Sequence, residues 1–538
     1  MNELRERAQA WIDDDPDPAS RAELRAVLDR LPETAADLAD RFAGPLTFGT
    51  AGLRGPLRAG PNGMNLAVVT QAAAGLVTWL AARDTPGPLV IGYDARRGSK
   101  AFAEQTARVA TGAGRAALVL PRPLPTPVLA YAVRVLGAVA GVMVTASHNP
   151  PQDNGYKVYL GDGAQIVPPV DAEIEAAIRT VGPLSGVPLG EPGEVLDEDL
   201  VTSYVDSAAA VLDPDGPREL GVAYTPLHGV GAAVLTAAFR RAGFATPAVV
   251  PEQAEPDPAF PTVAFPNPEE PGAIDRVIAL ADVNGADIAI ANDPDADRCA
   301  VAIPDPVRGW RMLRGDEVGV LIADHLMRQG RRGRYATTIV SSSLLKAMCA
   351  ARGMPYAQTL TGFKWIVRAG DGLVFGYEEA LGYCVAPDHV RDKDGITAAL
   401  TVAELAAGLR AELRTLADRL DDIAAEFGVY VTDQLSVRVD AAHEIGDIMT
   451  RLRGKTPDAL LDEPVTSVED LLPDADVVIL RTDTARVVVR PSGTEPKLKA
   501  YLEVVEPVVD DDIPAARERA AASVRALRTE TAAALGIW

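Results

Sequence analysis

The chain has 538 residues, of which 48% are hydrophobic and 24% charged, and its formal net charge at pH 7 is −23. This length suits about three to four domains with large apolar cores, and the composition is ordinary for a globular protein. The negative charge argues against nucleic acid or an anionic membrane as a partner. A site for a phosphorylated substrate must therefore be built locally from Arg, Lys and backbone N–H groups.

The cysteine content and the start of the chain favour a cytoplasmic protein. Cys299, Cys349 and Cys384 are far apart and lack metal-ligand spacing, which suits a reducing compartment better than a disulfide framework. The first residues have the pattern of a charged amphipathic helix, without the apolar core of a signal peptide. No apolar run approaches the ~20 residues of a membrane span.

Short β-rich runs alternate with stretches rich in Ala, Leu, Arg and Glu, which predicts α/β layers with largely parallel sheets. The predicted strands are 89–93, 140–145, 221–224, 287–291, 338–340, 373–376, 477–480 and 486–489. The predicted helices are 102–111, 230–242, 316–327, 398–427 and 515–535. Joints rich in Pro, Gly and Asp indicate three α/β domains and a smaller α+β domain. Their expected bounds are 1–205, 206–308, 309–424 and 425–538.

The loop TASHNP follows the predicted strand that ends at residue 145. Because the carboxyl ends of strands in open α/β sheets point into the ligand crevice, Ser147 is expected at the mouth of a site, as a nucleophile. An ordinary Ser/Asn/Pro turn explains this hexapeptide about equally well. Lys157, after the Asn154-Gly155 turn, can activate a hydroxyl or hold a phosphate, although a lysine base would need a lowered pKa.

A second loop, NDPDADR, contains Asp293, Asp295 and Asp297, whose side chains project to one side of an extended segment. Three converging carboxylates repel one another, so a hard cation is their natural partner. An EF-hand is excluded because its sixth position holds Arg298 and its twelfth holds Pro304. A solvated acidic turn remains an alternative. Three protein oxygens with open positions favour Mg²⁺.

Two further loops carry polar groups suited to a phosphosugar. The carboxylates of GYEEALGY, at 376–383, can accept hydrogen bonds from sugar hydroxyls, although Glu is also favoured in the first turn of a helix. The loop RPSGTEPKLK, at 490–499, offers a guanidinium, hydroxyls and exposed backbone N–H groups, which suit a phosphate. A plain hairpin turn explains its Pro and Gly but not its Arg. The Gly-rich loop at 47–55 suits a structural role equally well.

With these loops in this order, the chain resembles the α-D-phosphohexomutase superfamily, the phosphoglucomutase/phosphomannomutase enzymes, from about residue 47 to residue 499. The resemblance also includes GYD at 92–94, YTPLHG at 224–229, GDE at 315–317, TGFK at 361–364 and HVRDKDG at 389–395. It implies a four-domain phosphohexomutase architecture. Three α/β domains with mixed, largely parallel sheets and a smaller α+β C-terminal domain would surround a central cleft.

The same resemblance implies roles for individual residues. Ser147 is then the phosphorylated residue, and its phosphate joins Asp293, Asp295 and Asp297 as ligands of Mg²⁺. The positions matching acid–base, phosphate-contact or charge-stabilising groups are Lys157, His148, Arg54 and Arg298. The positions matching sugar recognition are Thr361, Gly362, Lys364, Glu378 and Lys393. The positions matching the loop that binds the non-transferring phosphate are Arg490, Ser492, Gly493, Thr494 and Lys499.

The implied reaction transfers the phosphoryl group of phosphoserine to a sugar hydroxyl, after which the other phosphate of the resulting bisphosphate returns to the serine. A sugar bisphosphate such as glucose 1,6-bisphosphate is then the activator, a phosphorylated sugar is the partner, and the protein is expected to be a monomer or homodimer. The favoured function is the exchange between O1 and O6 of glucose or mannose phosphate.

Two departures from the family pattern leave the sugar open. Ala380 stands where hexose mutases usually have Ser, and Lys499 stands where Arg is frequent and would bind bidentately. A phosphopentomutase acting on ribose or deoxyribose 1-phosphate is therefore the main alternative. An aspartyl-phosphate phosphatase would leave Ser147 unexplained. A non-catalytic sugar-phosphate-binding regulator would not need the serine together with all three aspartates.

Overall fold

The computed structural model describes residues 2–49, 52–307, 309–438, 442–492 and 497–537. The chain forms two compact units, Met1–Leu313 with Leu381–Ala411, and Arg314–Ala380 with Glu412–Trp538. The helices are α1 (Asn2–Asp14), α2 (Pro18–Asp29), α3 (Ala35–Arg41), α4 (Leu66–Ala82), α5 (Ser99–Gly112), α6 (Thr126–Val135), α7 (Val170–Arg179), α8 (Asp199–Ala209), α9 (Gly231–Arg241), α10 (Asp275–Asn284), α11 (Gly315–Arg328), α12 (Leu344–Arg352), α13 (Phe363–Ile366), α14 (Gly395–Ala411), α15 (Leu416–Phe427), α16 (Ala442–Gly454) and α17 (Ile513–Leu535).

The strands are β1 (Leu53–Pro56), β2 (Leu89–Tyr93), β3 (Ala117–Val119), β4 (Ala140–Val144), β5 (Asp153–Leu160), β6 (Glu194–Val195), β7 (Val222–Thr225), β8 (Ala248–Val249), β9 (Ile288–Ala291), β10 (Ala300–Asp305), β11 (Gly309–Met312), β12 (Arg334–Thr338), β13 (Tyr356–Thr359), β14 (Leu373–Glu378), β15 (Gly382–Cys384), β16 (Val429–Arg438), β17 (Ala459–Leu460), β18 (Glu463–Pro464), β19 (Ser467–Asp470), β20 (Val478–Arg481), β21 (Ala485–Pro491) and β22 (Lys497–Glu506).

The first sheet of the first unit has the strand order β1-β5-β4-β2-β3-β6. Its strands β4, β2, β3 and β6 are parallel, and β5 and β1 extend it in antiparallel pairing. The strands β2 and β4 are buried along their whole length, as expected for apolar parallel strands that are covered on both faces. Ile91 and Val142 of these strands share a core with Leu76 of α4 and Phe102 of α5. This packing fixes the carboxyl ends of β2 and β4.

The helices α1–α3 form a small core of their own ahead of this sheet. Ile12, Leu24 and Leu38 are buried together with Phe42. Asp17 accepts hydrogen bonds from the first backbone N–H groups of α2 and so caps that helix. The predicted amphipathic helix at the start of the chain is therefore α1.

The second sheet of the first unit has the order β11-β10-β9-β7-β8. The strands β7, β8 and β9 are parallel, and β10 and β11 follow in antiparallel pairing. Thr225, the last residue of β7, lies opposite Ala291, the last residue of β9. The loops that follow these two strands, TPLHGVG and NDPDADR, consequently begin at one edge of the sheet.

The segment that returns to the first unit begins with β15 and continues into α14, which packs on α8 and α9. Leu381 accepts a hydrogen bond from the backbone N–H of Cys299, at 3.0 Å. The predicted single helix 398–427 is wrong, because α14 ends at Ala411 and α15 begins at Leu416. Leu413 has a left-handed backbone with φ of +58°, and the Thr415 hydroxyl caps α15 by accepting from the N–H of Asp418.

In the second unit, β12 lies between β13 and β14 in parallel pairing. An antiparallel sheet of order β16-β22-β21-β20-β19 follows, with α17 packed on β16 and β22. The predicted strand 338–340 is wrong in its bounds, since β12 ends at Thr338. Ile339 and Val340 are apolar because they are buried against Val488 and Tyr501 of the antiparallel sheet. No helix in the described part of the chain is both long and apolar enough to span a membrane.

Candidate active site

Ser147 lies on the loop after β4 in a strained backbone conformation. Its φ is +50°, in the left-handed region that side chains other than glycine rarely adopt. The Ser147 N–H donates to Thr145 Oγ1 at 2.9 Å, and this hydroxyl donates to Asp94 Oδ2 at 2.6 Å. The Arg96 guanidinium donates to the carbonyls of Ser147 and Asn149, each at 2.5 Å. These bonds hold the loop in the conformation that presents the Ser147 side chain.

The Ser147 hydroxyl points at the acidic loop, where Ser147 Oγ donates to Asp293 Oδ2 at 2.7 Å. Asp293, Asp295 and Asp297 are each 0% exposed, and one oxygen of each lies within 4.8 Å of those of the others. The Arg298 backbone N–H donates to Asp293 Oδ1 at 3.1 Å. The structure thus brings together the predicted nucleophile and all three predicted metal ligands.

Lys157, on β5, reaches the same carboxylates. Its Nζ donates to Asp295 Oδ2 at 2.8 Å and to Asp297 Oδ2 at 3.0 Å. Burial alone would lower the pKa of Lys157, but Asp295 and Asp297 outweigh it, so that the pKa lies above its ordinary value. A lysine base would need the opposite shift. In this arrangement Lys157 is an ammonium group that neutralises charge.

The aspartates differ in their acidity because their neighbours differ. Burial, followed by the charges of Asp295 and Asp297, raises the pKa of Asp293 well above its usual range. Burial would also raise the pKa of Asp295, but the Lys157 ammonium and a 2.6 Å hydrogen bond from Thr126 Oγ1 hold it below that range. The pKa of Asp297 is lowered as well, since Lys157 and Lys393 outweigh burial and the charge of Asp295.

These three side chains fit a divalent cation. Asp295 Oδ1 and Asp297 Oδ1 are buried, and neither has a hydrogen-bond partner among the residues that the structure describes. A buried carboxylate oxygen without a donor is costly unless a cation binds it. Carboxylate oxygens are also the donors that Mg²⁺ prefers. The donor set therefore suits a hard cation.

Arg54 and Arg298 supply positive charge at the site, and both act on the neighbouring His148. Arg54 Nη1 donates to Asn149 Oδ1 at 2.9 Å, and burial lowers the pKa of Arg54. Arg298 Nε lies 3.8 Å from Asp293 Oδ2. Burial and the guanidinium groups of Arg298 and Arg54 hold the pKa of His148 well below its usual range. The imidazole of His148 is therefore neutral near pH 7.

Of the residues predicted to recognise the sugar, Lys393 lies in the first unit and the other four lie in the second. Lys393 Nζ is 3.2 Å from Asp297 Oδ2. Gly362 precedes α13 with φ of +117°, and Lys364 lies within that helix. Thr361, whose Oγ1 is buried, lies directly before Gly362. Glu378 ends β14 and is 8% exposed.

Three of the residues predicted to bind the non-transferring phosphate, Arg490, Ser492 and Lys499, lie at one end of the antiparallel sheet. Arg490 on β21 lies directly opposite Lys499 on β22. The Ser492 N–H donates to the carbonyl of Lys497 at 2.7 Å. Gly493 and Thr494 lie outside the described residues.

Several residues of the site were missed by the sequence reasoning. Asp94 and Arg96 follow the end of β2, just as Ser147 follows the end of β4. Polar residues directly after the carboxyl ends of strands often form the site in α/β folds, so the same argument could have identified Asp94 and Arg96. Thr126 begins α6 and bonds Asp295 across 169 positions, without a local signal. The Phe260 ring lies 5.0 Å from the Arg96 guanidinium carbon, a packing contact that the sequence also does not reveal.

Comparison with known proteins places the chain among sugar-phosphate enzymes. The three phosphoglucomutase/phosphomannomutase alpha/beta/alpha domains, I, II and III, match residues 45–183, 202–307 and 314–427. The C-terminal domain of the same enzymes matches residues 449–520.

Individual relatives cover nearly the whole chain. A probable phosphomannomutase of Haemophilus influenzae is 45% identical over 452 residues, which are 82% of this chain and 93% of that protein. A probable phosphoribomutase of Schizosaccharomyces pombe is 34% identical over 96% of each chain. The solved structure of parafusin, a phosphoglucomutase from Paramecium, shares the fold with a TM-score of 0.72 at 18% identity, and covers 91% of this chain and 94% of its own.

Proposed function

The chain belongs to the phosphoglucomutase/phosphomannomutase family of the α-D-phosphohexomutase superfamily, and we propose that it moves a phosphoryl group between O1 and O6 of a hexose phosphate, glucose or mannose. Family membership confirms the predicted four-domain α/β architecture and makes the chain a phosphosugar mutase, an isomerase of the phosphotransferase type. The observation that carries the proposal is the 2.7 Å hydrogen bond from Ser147 Oγ to Asp293 within the buried carboxylate cluster.

Ser147 is the proposed phosphoryl carrier. In the first half-reaction the bond between Ser147 Oγ and phosphorus breaks, while a bond forms from phosphorus to the free sugar hydroxyl oxygen. The proton of that hydroxyl passes to a base, and a proton is returned to Ser147 Oγ as it leaves. In the second half-reaction the bond between the other phosphorus and its sugar oxygen breaks as a bond forms to Ser147 Oγ. The proton of Ser147 then passes through the base to that sugar oxygen. Hydrogen bonds from Arg96 hold the strained Ser147 backbone, and so keep Ser147 Oγ in a fixed place for both steps.

His148 and Lys157 have different proposed roles because they differ in protonation. His148 is neutral at pH 7 and is the proposed acceptor of the sugar hydroxyl proton. Lys157 remains an ammonium group, which stabilises negative charge beside Asp295 and Asp297. Arg54 and Arg298 supply guanidinium groups for the oxygens of the transferring phosphoryl group.

Asp293, Asp295 and Asp297 are the proposed ligands of Mg²⁺, together with a phosphate on Ser147. When bound, Mg²⁺ would supply positive charge that stabilises the phosphoryl oxygens. The buried oxygens Asp295 Oδ1 and Asp297 Oδ1, which accept no hydrogen bond from the described residues, support this assignment. Arg298 Nε lies 3.8 Å from Asp297 Oδ1.

Recognition of the rest of the substrate is assigned to other residues. The proposed contacts of the sugar hydroxyls are Thr361, Gly362, Lys364 and Glu378. The proposed contacts of the non-transferring phosphate are Arg490, Ser492, Gly493, Thr494 and Lys499. The opposed Arg490 and Lys499 side chains support the second assignment because both carry positive charge.

The remaining proposals concern the setting of the enzyme. A sugar bisphosphate is the proposed activator, since it can phosphorylate Ser147. A cytoplasmic location and a monomeric or homodimeric state fit a negatively charged chain whose partner is a phosphorylated sugar. The proposed domain bounds remain 1–205, 206–308, 309–424 and 425–538.

A phosphopentomutase is the second candidate, and two observations favour it. Ala380 removes a hydroxyl from the sugar loop, and the phosphoribomutase relative matches 96% of the chain. The identity of 45% to a probable phosphomannomutase favours the hexose. Rates of interconversion for glucose 1-phosphate, mannose 1-phosphate and ribose 1-phosphate, with Mg²⁺ and a catalytic amount of bisphosphate, decide between them. We expect the highest kcat/KM on a hexose, whereas a strong pentose preference would select the second candidate.

A further inference from the structure

Asp392, on the loop before α14, is tied to the strand that carries Lys157. The Tyr159 hydroxyl donates to Asp392 Oδ2 at 2.7 Å, and Gln165 Nε2 donates to the same oxygen at 2.8 Å. Tyr159, Gln165 and Asp392 are all buried, with exposures of 0%, 5% and 2%. Two donors on one oxygen of a buried carboxylate fix its orientation and stabilise its charge.

The other oxygen of Asp392 faces the next residue. Asp392 Oδ1 accepts from the Lys393 N–H at 2.8 Å and lies 3.4 Å from Lys393 Nζ. That ammonium is also 3.2 Å from Asp297 Oδ2, the oxygen that accepts from Lys157 at 3.0 Å. Lys393 is thus shared between Asp392 and a carboxylate of the proposed metal cluster.

One strand places both ammonium groups. Lys157 and Tyr159 are two residues apart on β5, so their side chains project from the same face. Lys157 contacts Asp295 and Asp297 directly, and Tyr159 acts on Lys393 through Asp392. The strand β5 therefore places Lys157 directly and, through Tyr159, contributes to the orientation of Asp392 beside Lys393.

The backbone of the loop is held separately, by Asp394. Tyr204 donates its hydroxyl to both oxygens of Asp394, at 2.9 and 3.0 Å. Asp394 Oδ1 accepts from the N–H groups of Ile396 and Thr397, which begin α14. Because these bonds anchor the main chain next to Lys393, the bonds to Asp392 are left to direct the Lys393 side chain.

We propose that Asp392, held by Tyr159 and Gln165, is a positioning residue that keeps the Lys393 ammonium on Asp297, a carboxylate of the proposed metal cluster. The inference rests on the proposed function, because it assigns Lys393 to charge stabilisation in that reaction. This role replaces the sugar recognition that the resemblance implies for Lys393. If Asp392 loses a donor on Oδ2, less holds its carboxylate in the orientation that places Oδ1 beside Lys393 Nζ.

Tyr159→Phe tests the proposal, and Tyr156→Phe is its matched control. Both tyrosines lie on β5 and are 0% exposed, but Tyr156 faces the other side of the sheet, where its hydroxyl bonds Thr106 Oγ1 at 3.2 Å. We expect kcat/KM to fall about 10-fold in Tyr159→Phe and to change less than about 2-fold in Tyr156→Phe. Equal losses in both variants would overturn the proposal.

A double-mutant cycle separates positioning from a general loss of stability. In a Lys393→Met background, Tyr159→Phe should cause no further loss of kcat/KM, since the side chain that it orients is gone. A further loss equal to that in the wild-type background would overturn the proposal.

A crystal structure of Tyr159→Phe/Gln165→Met gives a readout that does not depend on turnover. We expect Lys393 Nζ to leave its place between Asp392 and Asp297, and an unchanged Lys393 would overturn the proposal. Wild-type protein that converts no phosphosugar would contradict the proposed function instead. The position of Lys393 in the double variant would still decide whether Asp392 orients it.

Discussion

Ser147 occupies its place because other residues offset an unfavourable backbone. A left-handed conformation costs a residue such as serine about 1–3 kcal/mol. Arg96 offsets this cost by donating to the carbonyls of Ser147 and Asn149, and it also bonds the carbonyls of Pro150 and Asp153. A guanidinium has five N–H donors and here serves four acceptors, whereas an ammonium has only three donors. The position of the Ser147 hydroxyl therefore depends on Arg96 as much as on Ser147 itself.

Arg96→Lys should lower kcat about 100-fold while the protein still folds, because a shift of the nucleophile by about 1 Å costs that much. Steady-state kinetics and circular dichroism measure the two quantities. Arg97→Lys, a change of an exposed side chain next to it, is the control and should leave kcat within about 2-fold. An unchanged kcat in Arg96→Lys would contradict the role of the guanidinium.

Asp295→Asn should raise the Mg²⁺ concentration needed for half-maximal activity about 10- to 100-fold, since it removes a charged ligand and leaves the shape of the side chain. Titration of activity with Mg²⁺ measures this value. Asp282→Asn, at an exposed position of α10, is the control. If Asp295→Asn responds to Mg²⁺ like the wild type, the metal assignment fails.

Most of the helices and strands predicted from the sequence coincide with elements of the structure, because their apolar periodicity reflects local packing. The predicted strand 89–93 coincides with β2, and the predicted helix 515–535 lies within α17. The prediction failed where a side chain is hydrophobic because it contacts a distant element, and where a single backbone conformation ends a helix. Ile339 and Val340 are apolar for contact with the antiparallel sheet, and the break between α14 and α15 depends on the left-handed Leu413.

The start of α11 provides a test at the level of these elements. Asp316, in its first turn, accepts from the N–H of Ser342 at 2.7 Å and from Thr432 Oγ1 at 3.1 Å. Burial, partly opposed by the Ser342 bond, raises the pKa of Asp316 to about 6. A raised folded-state pKa means that the folded form binds the proton more tightly. The free energy that this proton contributes to folding is fully present below pH 3.8, the pKa of the carboxyl in the unfolded chain. It is lost as the pH rises through 6, the pKa in the folded protein.

Asp316→Asn should therefore be more stable relative to the wild type at pH 7.5 than at pH 4.5. A pKa of 3.8 in the unfolded chain and of about 6 in the folded protein corresponds to a difference of roughly 3 kcal/mol in the free energy of unfolding. Thermal unfolding of both proteins at the two pH values measures the difference in Tm. The same difference at both pH values would contradict the raised pKa.

At the scale of the whole molecule, the sequence identified the chemistry better than its arrangement. The nucleophile and the three aspartates follow strand ends, so their motifs predicted a common site, and the structure brings Ser147 within 2.7 Å of Asp293. The links from Thr126 to Asp295 and from Tyr159 to Asp392 span 169 and 233 positions and depend on how separate elements pack. No local pattern encodes such distances. Because the net charge of the chain is −23, a phosphorylated substrate needs local positive charge, which Arg54, Arg298 and Lys157 supply.

The central claim is that Ser147 carries the phosphoryl group, and mass spectrometry of the protein after incubation with glucose 1,6-bisphosphate and Mg²⁺ tests it most directly. We predict one phosphate on the peptide that contains Ser147, its loss on addition of excess hexose monophosphate, and no labelling or mutase activity in Ser147→Ala. Mutase activity that persists in Ser147→Ala, or a phosphate on another residue, would contradict the account.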